Sequence, residues 1–214
     1  MKTPDPGCSL CPRLVDFRQA NRQAHRGWHN APVPSFGARA AAVLVVGLAP
    51  GLKGANATGR PFTGDYAGEL LYATLEKFGF SQGSYQARAD DGLKLSGLRI
   101  TNAVRCVPPG NKPLSAEIRA CLPFLVSEMA AMKALRLVIA LGRVAHDAVL
   151  TAFGEKKSAW PFAHGAIHRI AQKPLLIDSY HCSRYNTNTR RLTPAMFEAV
   201  FENAGRLLIT MRDS

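Results

Sequence analysis

The chain has 214 residues, 47% of them hydrophobic, and a formal net charge of +12 from 27 lysines and arginines against 15 acids. No apolar run approaches the roughly 18 residues that span a membrane, and Met1–Leu10 lacks the apolar core of a secretory signal. A membrane-spanning or disulfide-stapled secreted protein is therefore not expected, and a globular, cytoplasmic, reduced one is. Its basic excess suits a polyanionic partner, since each neutralised phosphate releases condensed counterions.

An irregular N-terminal arm over 1–40 comes first and carries Cys8 and Cys11. Ala42–Leu48 (AVLVVGL) is a short apolar run closed by Ala-Pro-Gly and predicts a buried strand. Tyr66–Phe78 has apolar spacing near 3.6 and predicts a helix stopped by Gly79. Gly97–Val104 predicts a second strand, and Ser115 is expected to cap a helix running to about Leu135. Arg136–Leu141 is a third strand, Gly142–Phe153 a third helix and Pro174–Asp178 a fourth strand. Thr193 caps a last helix from Pro194 to about Ile209, with proline at the favoured first position.

Strands alternating with helices imply right-handed crossovers, hence an α/β three-layer αβα sandwich around a four-stranded parallel sheet. No repeat or linker divides the chain, so one domain over 1–214 is expected. Ligands of such sheets bind beyond the carboxyl ends of the strands. Here those ends read GLAPG, TNAVRC, LGRVAH and DSYHCS, which gathers polar and loop-forming chemistry at one rim and points to an enzyme.

The glycine-rich segment Gly47–Gly68 sets Phe62 and Asp65 in a loop where a substrate can approach the backbone. An aromatic plus a carboxylate suits a base-binding pocket. The segment is neither a Walker phosphate loop nor a dinucleotide fingerprint. Cys8-x2-Cys11 and the distant pair Cys106 and Cys121 are better read as a metal or iron–sulfur site than as disulfides in a reduced protein. Spacing alone serves zinc and an iron–sulfur cluster almost equally.

Taken in order, CSLCPRL (Cys8–Leu14), GLAPG (Gly47–Gly51), GRPFTGDYAGELL (Gly59–Leu71) and TNAVRCVPPGNKP (Thr101–Pro113) form a specific set. It continues with EIRACLPFL (Glu117–Leu125), IALGRVA (Ile139–Ala145) and SYHCSRYNTNTRRLT (Ser179–Thr193). The set spans almost the whole chain and resembles the uracil-DNA glycosylase superfamily. Within it the match is to the type B, or family 5, enzymes, with TGD and NTNT separating it from the type A enzymes that share the cysteine spacing.

The resemblance implies a DNA glycosylase of base excision repair, monomeric, acting on DNA that contains uracil or another deaminated base such as hypoxanthine. The base is flipped out of the stack and read through its Watson–Crick edge. It implies catalytic roles for Asp65, Asn102 and His181. Asn102 carries the donor and acceptor that match O4 and N3–H of uracil, and His181 places a donor toward O2, where charge develops. Gly47, Ala49, Pro50 and Gly51 of the first motif, together with Phe62 and Asn186, form or support the base pocket. Arg184 and Tyr185, in a segment with Arg190 and Arg191, are candidates to grip phosphate and fill the vacated stack. The four cysteines are implied to hold a [4Fe–4S] cluster, with zinc the alternative.

Two departures stand out. GLAPG offers only Gly51 where other families place a water-orienting polar residue, which leaves Asp65 as the substitute. Cys182 follows the histidine where the family commonly has proline, freeing a rigid φ and adding a fifth cysteine. Two further readings remain open on sequence. A non-catalytic metal-containing DNA-binding module would have no use for Asp65, Asn102 and His181 together. A nucleoside hydrolase would have little use for the +12 charge.

Overall fold

Residues 1–211 are described by a computed structural model, so the domain expected over 1–214 runs three residues outside that description. In chain order the elements are α1 (Pro12–Ala24), β1 (Val43–Gly47), α2 (Ala55–Thr58), α3 (Tyr66–Lys77), β2 (Ser81–Gln82), β3 (Lys94–Leu95) and β4 (Leu98–Asn102). Then follow α4 (Ser115–Ala131), β5 (Leu137–Leu141), α5 (Arg143–Phe153), β6 (Ile167–His168), β7 (Leu175–Ser179), α6 (Arg184–Asn188) and α7 (Pro194–Thr210).

The main sheet has the order β4-β1-β5-β7-β6. The first four strands are parallel, as expected from sequence. The fifth corrects the four-stranded reading, because β6 adds antiparallel to the free edge of β7. At two residues, β6 is too short to leave a pattern in the sequence. Every residue of β1, β4, β5 and β7 is buried, which explains the unbroken apolar runs of β1 and β5.

Side chains alternate faces along each strand. Val43, Val45, Ile100, Ile139 and Ile177 pack with Leu71 and Leu75 of α3 and Phe197 and Phe201 of α7. Leu44, Val46, Val138, Ala140 and Leu176 face Leu125 of α4 and Val149 and Phe153 of α5. Helices therefore cover both faces. Register puts Gly47 beside Asn102 and Leu141 beside Ser179, so the strand ends open on one rim.

The arm is not wholly irregular, since it contains α1. That helix buries Leu14, Arg18 and Asn21 at helical spacing, a face too polar to read as an amphipathic stripe. The start of α4 differs as well. Leu114, not Ser115, is the cap residue, and the Glu117 carboxylate accepts the Leu114 N–H at 2.7 Å. Thr193 does cap α7, accepting the Met196 N–H.

Candidate active site

A cavity of about 670 Å³ opens at the carboxyl rim, lined by Ala49, Gly51, Phe62, Asp65, Asn102 and His181, with Lys53, Asn111 and Arg184 also on its wall. The first two strands meet at Gly47. A Cβ there would lie 2.4 Å from Asn102 Oδ1 and 2.5 Å from Phe62 Cζ, so only glycine lets both side chains reach the rim. Phe62 is buried and holds φ at +53°, a left-handed conformation unusual for an aromatic residue.

Asp65 caps α3. Its Oδ1 accepts the Gly68 N–H at 3.1 Å. Its Oδ2 lies in a hollow where a Cβ on Gly51 or Gly54 would come within 2.9 or 2.4 Å. Burial raises the Asp65 pKa, against the opposing pull of the Gly68 and Ala67 amides. The carboxylate is thus held by α3 and floored by the first loop.

Asn102 ends β4 and is 3% exposed, and its Oδ1 is buried with no hydrogen-bond partner. A buried acceptor left unpaired costs about 1–3 kcal/mol, so an orphan inside a cavity wall marks a place for a ligand donor.

His181 lies two residues beyond β7, its ring facing Phe62 with centroids 5.9 Å apart. The ring meets the cavity, yet the surrounding protein desolvates it and lowers its pKa to about 4. It is neutral at pH 7. Neither ring nitrogen has a protein partner among the described residues, and the loop is fixed through its backbone instead. Asn186 Nδ2 donates to the His181 carbonyl at 2.8 Å. Cys182 Sγ donates to the Ala67 carbonyl at 3.4 Å and is fully buried, which raises its thiol pKa. The residue that departs from the family pattern therefore ties the histidine loop to the first turn of α3.

Asp65, Asn102, His181, Phe62, Ala49 and Gly51 are brought together on the cavity. Gly47 and Pro50 are buried behind it, and Asn186 supports His181 from outside it. Arg184 extends its guanidinium over Tyr66 at 5.3 Å from the ring centroid, and Tyr185 beside it is 72% exposed. Tyr66, Lys53 and Asn111 join the site without having been singled out from sequence. Tyr66 and Asn111 lay within quoted motifs, and Lys53 in the glycine-rich segment after GLAPG.

A family model for the uracil DNA glycosylase superfamily matches residues 34–205. The chain belongs to the uracil DNA glycosylase superfamily. It is 46% identical over 205 residues to a type-5 uracil-DNA glycosylase of Thermus thermophilus, covering 94% of this chain and 93% of that protein. A type-5 enzyme of Mycobacterium leprae is 40% identical over 94% of this chain and 91% of its own length. A type-4 enzyme of Pyrobaculum aerophilum matches at 36% over 62% of this chain and 59% of its own. Within the superfamily the likeness is thus to the type-5 enzymes, as the TGD and NTNT motifs imply.

The four cysteines converge on a small cavity between α1, α4 and the loop after β4, packed with Leu14, Val104 and Phe124. Burial raises the thiol pKa of Cys11 and Cys106 and takes Cys121 to about 11. Arg18 is 3% exposed, donates Nη1 to Cys106 Sγ at 3.4 Å and Nη2 to the Cys8 carbonyl at 2.8 Å, and leaves Nε unpaired. It has no carboxylate partner among the described residues. A buried guanidinium facing four thiols fits a site that becomes anionic when the thiols bind metal.

A second cluster lies deeper. Asp178 on β7 bonds His146 Nδ1 at 2.7 Å and His168 Nε2 at 2.8 Å, while His146 Nε2 meets the Trp160 carbonyl at 2.9 Å. Both nitrogens of His146 face acceptors. Burial alone would lower its pKa, but the Asp178 contact outweighs it and raises it. This is a saturated internal ion pair rather than an open metal site.

Proposed function

We propose that the protein is a monofunctional uracil-DNA glycosylase that hydrolyses the N-glycosidic bond of uracil in DNA and starts base excision repair. Hypoxanthine and other deaminated bases fall within its range in this reading. The observation that carries it is the buried, unpartnered Asn102 Oδ1 beside Phe62 on the cavity that also holds His181 and Asp65. Uracil supplies the missing donor through N3–H, and the Asn102 amide donates to O4. Cytosine offers a lone pair at N3 instead and would leave the same oxygen orphaned. That mismatch is the source of selectivity.

The steps follow from where charge appears. Phe62 stacks on the flipped base, a contact worth about 1–3 kcal/mol on comparable platforms. As the C1′–N1 bond breaks, negative charge spreads onto uracil O2 and positive charge onto the sugar. Neutral His181 donates to O2, and the Asp65 carboxylate orients water toward C1′ or stabilises the sugar cation. The water oxygen bonds to C1′, its proton passes to the base or to solvent, and an abasic site remains. Arg184 holds phosphate and Tyr185 fills the vacated stack.

Cys8, Cys11, Cys106 and Cys121 hold a [4Fe–4S] cluster in this proposal. An all-thiol donor set beside Arg18 supports a metal centre, and the likeness to the type-5 enzymes favours the cluster over zinc. Through a bound cluster, Cys8 and Cys11 would tie α1 to Cys121 of α4 and to Cys106 in the loop after β4.

The test is incubation with a labelled uracil-containing oligonucleotide followed by alkali. Strand cleavage at uracil, absent from the thymine control, is expected. An intact strand at enzyme excess would reject the reading.

A further inference from the structure

The segment 81–95, between α3 and β4, contains none of the motifs and none of the cavity residues. It nevertheless makes the closest polar contacts to the loop that carries Phe62 and Asp65. Tyr85 leaves this segment and lays its ring on Tyr72 of α3, centroids 4.5 Å apart. Its hydroxyl accepts the Gly64 N–H at 3.2 Å and donates to the Phe62 carbonyl at 3.4 Å. One phenol oxygen therefore spans both sides of the turn between Phe62 and Asp65.

The rest of the segment holds Tyr85 in place. Asp91 takes both Nη atoms of Arg60 in a fork, at 2.6 and 2.7 Å, and also accepts the backbone N–H groups of Gln86 and Leu93. The Arg60 guanidinium lies over the rings of Phe36, Tyr72 and Tyr85 at 5.0 to 5.7 Å. Its Nε donates to Thr63 Oγ1 at 2.8 Å, and the Tyr72 hydroxyl donates to the Pro61 carbonyl at 2.7 Å. Each residue from Arg60 to Gly64 is thus bonded or stacked by this clamp. At Gly68 a Cβ would strike the Phe62 carbonyl at 1.8 Å and the Tyr85 hydroxyl at 2.7 Å, so the bare first turn of α3 is what admits the phenol.

A clamp this complete has something to hold. Phe62 sits at φ +53°, and a residue kept in a sparsely populated backbone region persists only where its surroundings over-determine it. We infer that Tyr85, fixed by the Arg60–Asp91 fork, is a positioning residue that locks the Phe62 platform and the Asp65 carboxylate in their working geometry. It does not line the cavity. The inference rests on the glycosylase reading and adds to it a residue outside every motif.

Tyr85→Phe removes one oxygen and keeps the ring stack. Expected are single-turnover excision roughly tenfold slower, the size of a lost hydrogen bond that leaves a backbone group unpaired, and weaker binding of uncleaved uracil-containing DNA. Affinity for undamaged DNA stays at the native value, because phosphate contacts lie elsewhere, and the melting temperature stays within about 3 °C. Asp91→Asn, whose change is farther from the cavity, lowers the same ratio of specific to undamaged binding. An unchanged rate in Tyr85→Phe overturns the inference. So does a slower rate accompanied by equal loss on both DNAs, which marks a merely structural role. If the native protein releases no uracil, the proposed function fails. If it does and Tyr85→Phe matches it, only the clamp fails.

Discussion

Replacing His181 by alanine isolates the electrostatic part of the proposed reaction. The ring has a pKa of about 4, so at pH 7 only about one molecule in a thousand carries an imidazolium, and keeping it charged would cost about 4 kcal/mol at 1.36 kcal/mol per unit. A fixed donor to a developing oxyanion contributes about 3–4 kcal/mol, or roughly 100- to 1,000-fold in rate. The two figures are equal in size, so a cationic His181 would forfeit what its hydrogen bond gains, and the neutral ring is the economical donor. In the ground state O2 is uncharged and the same bond differs little from one with water. His181→Ala is therefore expected to slow single-turnover excision roughly 100- to 1,000-fold while the dissociation constant of an uncleavable uracil strand moves less than about threefold. The native rate should not rise as pH falls from 8 to 6. Excision at close to the native rate in His181→Ala refutes the assignment, and a tenfold gain per unit of acidification refutes the neutral donor.

Asp65→Asn keeps an oxygen to cap the Gly68 N–H but removes a buried charge whose pKa is raised by burial, and hence a cost to folding above the ordinary carboxylate range. Excision should fall on the order of 100-fold with the melting temperature equal or higher, and a retained rate would remove Asp65 from the chemistry. Arg18→Met takes away the only buried cation among the residues lining the cysteine cavity apart from Arg105. Iron per chain and absorbance near 400 nm should be lost faster in air than from the native protein, and an equal loss would deny Arg18 that role. His146, its pKa raised by Asp178, adds stability that is full below about pH 6.5 and is lost as pH rises through its folded pKa. The melting-temperature gap between native protein and His146→Gln should narrow from pH 6 to pH 9, and a constant gap would contradict the ion pair.

Much of the scaffold was legible because the sheet obeys simple rules. Val43–Gly47 and Leu137–Leu141 are buried on both faces and read as plain apolar runs, Leu175–Ile177 does so ahead of the buried Asp178, and Thr193 with Pro194 announces a helix start. Asn102 and His181 were legible at the ends of expected strands and Asp65 in the glycine-rich loop ahead of α3, and the ordered motifs around them implied their roles. What was hidden was hidden by polarity or brevity. Helix α1 buries Arg18 and Asn21, so its inner face looks like surface. The β6 edge and the β2–β3 pair are two residues each, below the length at which a period exists. Tyr85 and Asp91 sit in a polar stretch, and what they do depends wholly on contacts with the loop at 60–64.

The same polarity has a physical meaning at the rim. Asn102 Oδ1 is buried without a donor, the Asp65 pKa is raised by desolvation, and the His181 pKa is lowered by it. Three polar groups on one cavity are each worse off than in water, and Phe62 adds a strained backbone. None of these features stabilises the fold, so the surrounding structure must impose them. The buried strand ends, the glycine hollow under Asp65, the Cys182 tether and the Tyr85 clamp do so with contacts that leave no slack. In the proposed reaction a flipped uracil relieves part of the cost by giving Asn102 its donor and Phe62 a stacking partner. The remainder is relieved only when charge reaches O2 and the sugar, opposite His181 and Asp65. Groups left unsatisfied in the free protein and satisfied late along the reaction are what differential binding of a transition state requires.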